Sequence, residues 1–569
     1  MTEQLSTTRI LNDIYPPAVA AEIAPRLQAI IESYRGRIPP PAQTGLTSAD
    51  AFLITYPDQL SHPGKMPLSV LGEFCRKHLG HVISTIHLLP FYPYSSDDGF
   101  SVIDFRQVNP AFGGWQDVNS LSGDFRMMFD AVINHVSQKS AWFEAFLKDD
   151  PRRAETFIVI KGNPDLSRVV RPRTLPLLTA YQTASGEKKV WTTFSADQVD
   201  LNYRNPEVLL EIMDTLLFYA AQGASFLRLD AIAYLWKEAG TPCIHLPQTH
   251  RIIQLIRTVF DEAAPHVGLI TETNVPHAEN ISYFGNGHNE AQLVYNFALP
   301  PLVLHSIRTG NVRILSEWAA GLSVPSGKVT FFNFLASHDG IGVNPVRGIL
   351  SQAQLDALVH GVEAHQGFIS SKNMPDGSQA PYELNINYFD ALSDPQGTES
   401  LEIQVGRFMA AQSVLLSLVG VPGIYFHSLF GLRGWRDGAL ESGIPRRINR
   451  QKFSRQDLEA RLKDSTSLQS RVYKAFVRLI QARRGNSAFH PHGTQQVIMQ
   501  NEHVFSLLRI SPDDEGQVLC LHNLSRELQT VNLPGEGPAR MDLITGKMVA
   551  GGSLQLDPYQ VLWLKDIRR

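Results

Sequence analysis

Cysteine is scarce in this chain: three residues in 569, Cys75, Cys243 and Cys520. They lie far apart, form no C-x-x-C pair and, being odd in number, cannot all pair with one another. A disulfide framework is therefore not expected, and a reducing compartment is the simplest inference. An excess of either charge is missing too. The 51 Lys and Arg against 55 Asp and Glu leave a net charge of -4 with no basic stripe, which argues against nucleic acid as a partner. No uninterrupted apolar run is long enough to span a bilayer. The first residues, Met1-Thr-Glu-Gln-Leu-Ser-Thr-Thr8, lack a basic start followed by an apolar core. No secretory signal is visible, and the expected location is the cytoplasm, away from membranes. There is no HExxH, no clustered His set, and no GxGxxG or GxxxxGK[ST] after a strand. Asp130, Asn134 and His135 include hard ligand types, and calcium through Asn134 is chemically conceivable. No acidic loop surrounds that position, so neither a metal nor a cofactor is expected.

What is present is a series of short apolar runs, each ending in a polar group. Ser225-Phe-Leu-Arg-Leu-Asp230, Leu269-Ile-Thr-Glu272 and Phe334-Leu-Ala-Ser-His-Asp339 end in carboxylates. Met127-Met-Phe-Asp-Ala-Val-Ile-Asn134-His135 ends in an amide and an imidazole. Such runs read as buried parallel strands. Eight are found, at residues 52–56, 83–89, 127–134, 225–230, 268–272, 291–297, 330–336 and 421–426, with helical segments between them. That is the count for a (β/α)₈ TIM barrel. The expected organisation has an N-terminal helical extension over 1–50 and a catalytic barrel over 51–489. A small domain over 136–222 is inserted after the third strand. A polar loop region over 345–400, with a Pro375-Asp376-Gly377 turn, follows the seventh. An all-β domain over 490–569 completes the chain, since the helical pattern stops near residue 490. No interface pattern stands out from the helix surfaces, and a homodimer stays open.

Polar groups at the ends of several barrel strands converge on one rim, where active sites are built. Retaining cleavage of a glycosidic bond needs one carboxylate as nucleophile and a second carboxyl as acid and base. Asp230 suits the first role because Arg228, two residues earlier on the same strand face, would keep it ionised. Glu272 suits the second, since its Leu-Ile-Thr flank can raise a carboxyl pKa. Asp339, beside His338, suits binding of sugar hydroxyls and stabilisation of positive charge, with His135 and Asp97 gripping the same sugar.

The motifs Asp130-Ala-Val-Ile-Asn134-His135, Arg228-Leu-Asp230-Ala, Ile-Thr-Glu272-Thr-Asn and His338-Asp339 resemble, in content and order, those of glycoside hydrolase family 13, the α-amylase superfamily. A narrower resemblance is to its sucrose phosphorylase subgroup. It rests on His87-Leu-Leu-Pro-Phe91, Asp97-Asp-Gly-Phe100, Arg171-Pro-Arg173, Gln198-Val-Asp-Leu201, Lys237-Glu-Ala-Gly-Thr241, His338-Asp-Gly-Ile-Gly342 and Arg446-Arg-Ile-Asn-Arg450. The resemblance implies a covalent glucosyl intermediate on Asp230, with Glu272 as acid/base and Asp339 as transition-state stabiliser. Phosphate would replace water as second acceptor, giving α-glucose 1-phosphate. It also implies that Asp97, His135, Arg228, His338 and Arg446 grip glucose, and that Arg171 or Arg173 contacts phosphate.

Sucrose phosphorylases carry Tyr-Gln where this chain has Tyr382-Glu383. That departure, the N-terminal extension and Asn344-Pro-Val-Arg347 resemble the glucosylglycerate phosphorylases of the same subgroup. Arg347 would offer a cation to a glycerate carboxylate, which Glu383 alone would repel. Glucosylglycerol, sucrose and sucrose 6'-phosphate stay open as alternative substrates. So do a family 13 glucosidase or transglucosidase, and a non-catalytic amylase-like binding protein.

Overall fold

The computed structural model describes residues 6–41, 43–373, 378–533 and 539–566. All eight expected strands form, and they close one parallel ring. In chain order they are β1 (Phe52–Thr55), β2 (Thr85–Leu88), β3 (Arg126–Ala131), β4 (Ala224–Leu229), β5 (Gly268–Thr271), β6 (Leu293–Tyr295), β7 (Thr330–Asn333) and β8 (Val421–Tyr425). Each pairs with its neighbours in sequence, and β8 closes on β1. Both faces of these strands are covered, which is why they read as unbroken apolar runs and not as alternating ones. The barrel is filled: the Phe52 ring meets Phe226 and Phe332 edge-on, with centroids 5.0 and 5.3 Å apart.

Several strands are shorter than the apolar runs suggest. β3 ends at Ala131 and not at Asn134, and β7 ends at Asn333 and not at Ala336. These two leave the ladder while the chain is still apolar, at Val132-Ile133 and Phe334-Leu-Ala336, whereas β4 and β5 run up to their carboxylates, and Asp230 and Glu272 sit one residue beyond them. Asp339 lies six residues beyond β7, on an irregular loop.

Two helices precede the barrel, α1 (Thr7–Ile14) and α2 (Pro17–Tyr34). Ser6 caps α1 through its side-chain oxygen, and α2 buries Ile23, Leu27 and Ile31, a stripe at helical spacing. They rest on the barrel's own helices. The Tyr15 hydroxyl donates to the Tyr203 carbonyl at 2.7 Å, and Arg26 grips the Glu207 carboxylate with two bonds of 2.6 and 2.7 Å.

After β3, His135–Ser137 pairs antiparallel with Gln198–Asp200, and a three-stranded sheet (Val159–Ile160, Leu178–Thr183, Gly186–Trp191) stands over that end of the barrel. The segment 136–222, read from sequence as one insertion, also contains the helix Pro206–Ala221. That helix belongs to the barrel, because it buries an apolar side and leads directly into β4. After β7, a hairpin of Phe368–Asn373 and Gln379–Asn385 joins Ile341–Gly342, and the helices Gln352–Ala364 and Tyr388–Leu392 flank it. The Pro375-Asp376-Gly377 turn lies outside the described residues.

The C-terminal region is all β. A six-stranded sheet runs from Thr494 to Asp566, beside a two-stranded one. It is fastened to the barrel by the buried Arg509, whose guanidinium donates to the Ser417 carbonyl at 2.9 Å. Among the described residues, no helix is long and apolar enough to cross a membrane.

Candidate active site

The C-terminal rim of the barrel holds a cleft lined by Asp97, His135, Arg173, Asp230, Glu272, His338, Asp339, Tyr382, Glu383 and Arg446. Ten residues far apart in sequence thus meet because eight strand ends point the same way. A larger cavity, about 1430 Å³, lies at the opposite end of the barrel around Arg126, Phe226 and Gly268. It contains none of the three carboxylates.

Arg228 organises the floor without lining the cleft. Its guanidinium lies 2.5 Å from Asp130 and 2.8 Å from Asp230, with Glu272 at 3.9 Å. Asp130, named from sequence among hard ligand types, is committed to Arg228 and to His87, 2.9 Å away. The single positive charge of Arg228 is therefore divided, and this alters the electrostatics that the sequence suggests. Burial raises the Asp230 carboxyl, and Glu272 and Asp130 reinforce that, against the downward pull of Arg228. Burial raises Glu272 as well, opposed chiefly by Arg228. Two desolvated carboxyls side by side share a proton. Contact geometry decides where it sits. Asp230 has the direct guanidinium bond, whereas among the described residues the Glu272 carboxyl accepts only the Ala231 N–H, at 3.1 Å. The ionised form belongs on Asp230 and the proton on Glu272. Ala231 adopts a left-handed backbone, φ 48°, and this turn is what aims its N–H at Glu272.

Asp339 faces the opposite charge balance. Its carboxylate meets Arg446 at 2.8 Å and Arg450 at 3.2 Å. Burial disfavours its charge, yet Arg446 and Arg450 together hold the carboxyl far below the usual range. His338 stands 3.4 Å away but is neutral, because burial pushes it down to about 3. Its ring stacks on Phe100 with centroids 4.7 Å apart. Burial lowers His135 as well, and its Nε2 meets the Phe100 carbonyl at 2.8 Å. Asp97 and Asp98 both have left-handed backbones, φ 51° and 48°. Burial works against ionised Asp97, but Arg450, Arg173 and Arg446 keep its carboxyl below the ordinary value.

The acceptor candidates divide. Tyr382 and Glu383 line the cleft. Their strand pairs with Phe368–Asn373 through a register shift in which Ser370 faces Glu383 and Ser371 faces Pro381. Tyr382 is the extra residue of that bulge, a device that re-aims a side chain. Glu383 is fully occupied: Arg446 donates to one oxygen at 2.8 Å and the Gly340 N–H to the other at 3.0 Å. Arg347 stands outside the cleft wall, with Nη2 on the Pro381 carbonyl at 3.2 Å. Arg173 enters the cleft and lies 3.8 Å from Asp97, while Arg171 turns to the Leu175 carbonyl and does not line it.

Sequence reasoning passed over Arg450, which joins Asp97, Asp98, Asp339 and the His338 carbonyl. Its signal was available, four residues after Arg446 in the same motif. Asn274 and Gln198 also line the cleft; both lie in motifs noted above but were given no role there, and Tyr234, a third lining residue, has no local pattern to mark it. At Asn134, the oxygen accepts from Lys237 at 2.7 Å, and the same ammonium lies 2.6 Å from Asp200. A fixed cation is thus already bonded to that amide.

Residues 77–339 match the family described as alpha amylase, catalytic domain, and residues 510–564 match the C-terminal immunoglobulin-like domain of D-apionate lactonase. The chain is 48% identical to the glucosylglycerate phosphorylase of Spirochaeta thermophila over 98% of both chains. It is 51% identical to that of Allomeiothermus silvanus over 92% of both, and 43% identical to that of Escherichia coli over 98% of this chain and 99% of the other. Among solved structures, a sucrose 6F-phosphate phosphorylase superposes with a TM-score of 0.73 at 24% identity, covering 85% of this chain and 95% of the other, which shows the shared fold.

Proposed function

The chain belongs to the glucoside phosphorylases of the α-amylase superfamily, and from that premise we propose that it is a retaining glucosylglycerate phosphorylase. In this reading the Asp230 carboxylate attacks the anomeric carbon of the glucosyl unit while the Glu272 carboxyl gives its proton to the departing glycerate oxygen. A phosphate oxygen then attacks the same carbon and Glu272 takes back a proton. Asp230 is released, and α-D-glucose 1-phosphate leaves with retained configuration. Asp339, held ionised by two arginines, accepts hydroxyls of the sugar and offsets the positive charge that develops on the ring. Asp97, His135, His338 and Arg446 hold the glucose.

Near-full-length likeness to three glucosylglycerate phosphorylases carries the reading. The geometry agrees with it at Arg173, whose guanidinium stands in the cleft beside Arg446 and so favours an anion there. Three buried, unpaired thiols suit a reducing compartment, and the reading places the enzyme in the cytoplasm.

The test is release of glucose 1-phosphate from glucosylglycerate, glucosylglycerol and sucrose, each with and without phosphate. Phosphate-dependent product, chiefly from glucosylglycerate, is expected, and Asp230→Asn abolishes nearly all of it while keeping the fold. Free glucose at one rate regardless of phosphate would make the chain a hydrolase.

A further inference from the structure

Two cations stand together just outside the cleft wall, with no carboxylate of the described residues in an ion pair with either. Arg347 follows the short turn Asn344–Val346, and Lys372 lies near the end of the strand Phe368–Asn373. Among the described residues, neither has a carboxylate within ion-pair distance, in a molecule where nearly all other buried or half-buried arginines around the site have one. They are close enough to oppose each other. Burial lowers the Lys372 ammonium, Arg347 lowers it further, and only Glu279 pulls the other way. Arg347 also has a buried Nε without a hydrogen-bond partner among the described residues.

A short relay ties this pair to the reacting groups. Lys372 donates to the Asn344 oxygen at 2.8 Å, and the Asn344 amide donates to the Asn274 carbonyl at 3.2 Å. Asn274 lines the cleft two residues beyond Glu272, and its side-chain oxygen is buried without a hydrogen-bond partner among the described residues. Arg347 is bonded to the carbonyl of Pro381, the residue before Tyr382. The two cations thus flank the side of the cleft that lies next to the acid/base residue. Like charges held half-buried and unpaired are costly unless an anion joins them. The acceptor half of a glucosylglycerate carries such an anion, and the nearby acid, Glu383, is already paired with Arg446.

Resting on the glucosylglycerate reading of the chain, we propose that Lys372 and Arg347 together form the binding site for the acceptor's carboxylate, and that Lys372 is a specificity-determining residue for acids over neutral polyols. A carboxylate and a phosphate share the chemistry that two cations recognise, so the experiment separates them.

The enzyme is run in the synthetic direction, with glucose 1-phosphate as donor and glycerate or glycerol as acceptor, and the KM for phosphate is taken separately in phosphorolysis. Lys372→Met and Arg347→Met are each expected to raise the KM for glycerate at least tenfold and that for glycerol less than twofold. Lys372→Arg, which keeps the charge, restores most of the glycerate affinity. Equal loss toward glycerate and glycerol would reduce both residues to a structural role and overturn the proposal. So would an effect on the phosphate KM alone, or none at all. If Lys372→Met does not fold, Lys372→Gln keeps a donor for Asn344 and gives the same comparison. A wild-type enzyme that makes no product from glycerate would instead bring down the glucosylglycerate reading itself.

Discussion

At the scale of single residues, the decisive feature is that one guanidinium serves three carboxylates unequally. Arg228 bonds Asp130 and Asp230 directly but only approaches Glu272, so two neighbouring carboxyls acquire different proton occupancy from one cation. Because burial raises Glu272, its protonated form persists above the ordinary glutamate range. An acid must be protonated to act, so kcat/KM for glucosylglycerate is expected to fall as pH rises through that elevated value. Glu272→Gln removes the acid and should cut kcat/KM by roughly 10²–10⁴-fold. A donor whose leaving group needs no proton, such as α-D-glucosyl fluoride, should lose far less. The same substitution removes a carboxyl that burial disfavours, so a higher melting temperature is expected alongside the lost activity. Equal loss on both donors would remove Glu272 from the acid role.

At the scale of elements, the hairpin 368–385 sets the acceptor side, and its seating depends on a glycine. A Cβ on Gly340 would lie 2.5 Å from the Leu384 carbonyl oxygen and 2.7 Å from Glu383 Cγ. Gly340 here supplies space for a close approach, and through its N–H it also fixes Glu383. Gly340→Ala should therefore push the hairpin outward and loosen the Glu383–Arg446 pair. The KM for the acceptor is expected to rise at least fivefold. Hydrogen exchange should quicken across 379–385 and stay unchanged in β4 and β5. An unaltered KM would show that the hairpin's position does not control the acceptor. The hairpin was hard to read in sequence because its bulge at Tyr382 breaks the alternation that marks a strand.

At the scale of the whole molecule, several histidines are buried uncharged, and folding is linked to pH through them. Burial pushes His338 and His427 down to about 3 and His522 to about 4. In the unfolded chain each titrates near ~6.5. Between that value and the folded ones the unfolded state binds more protons, so stability is full above about 6.5 and declines as pH falls. Asp339, held low in the fold, adds loss in the same direction below its unfolded value. The urea midpoint is expected to be lower at pH 5 than at pH 7 with an unchanged slope. A midpoint independent of pH over that range would mean these rings are not neutral in the fold.

The sequence by itself determined the barrel, because eight buried parallel strands must be apolar on both faces and so stand out as continuous runs. It also carried the three carboxylates, since each directly ends such a run or lies a few residues past it. Only the tertiary structure decided what these groups do to one another. The division of Arg228 between Asp130 and Asp230, the quenching of Glu383 by Arg446 and the joining of four groups by Arg450 link residues up to 353 positions apart. Local periodicity reports which face a residue occupies, but electrostatics depends on distance in space and on exclusion of water, and both arise only when the loops close over the rim.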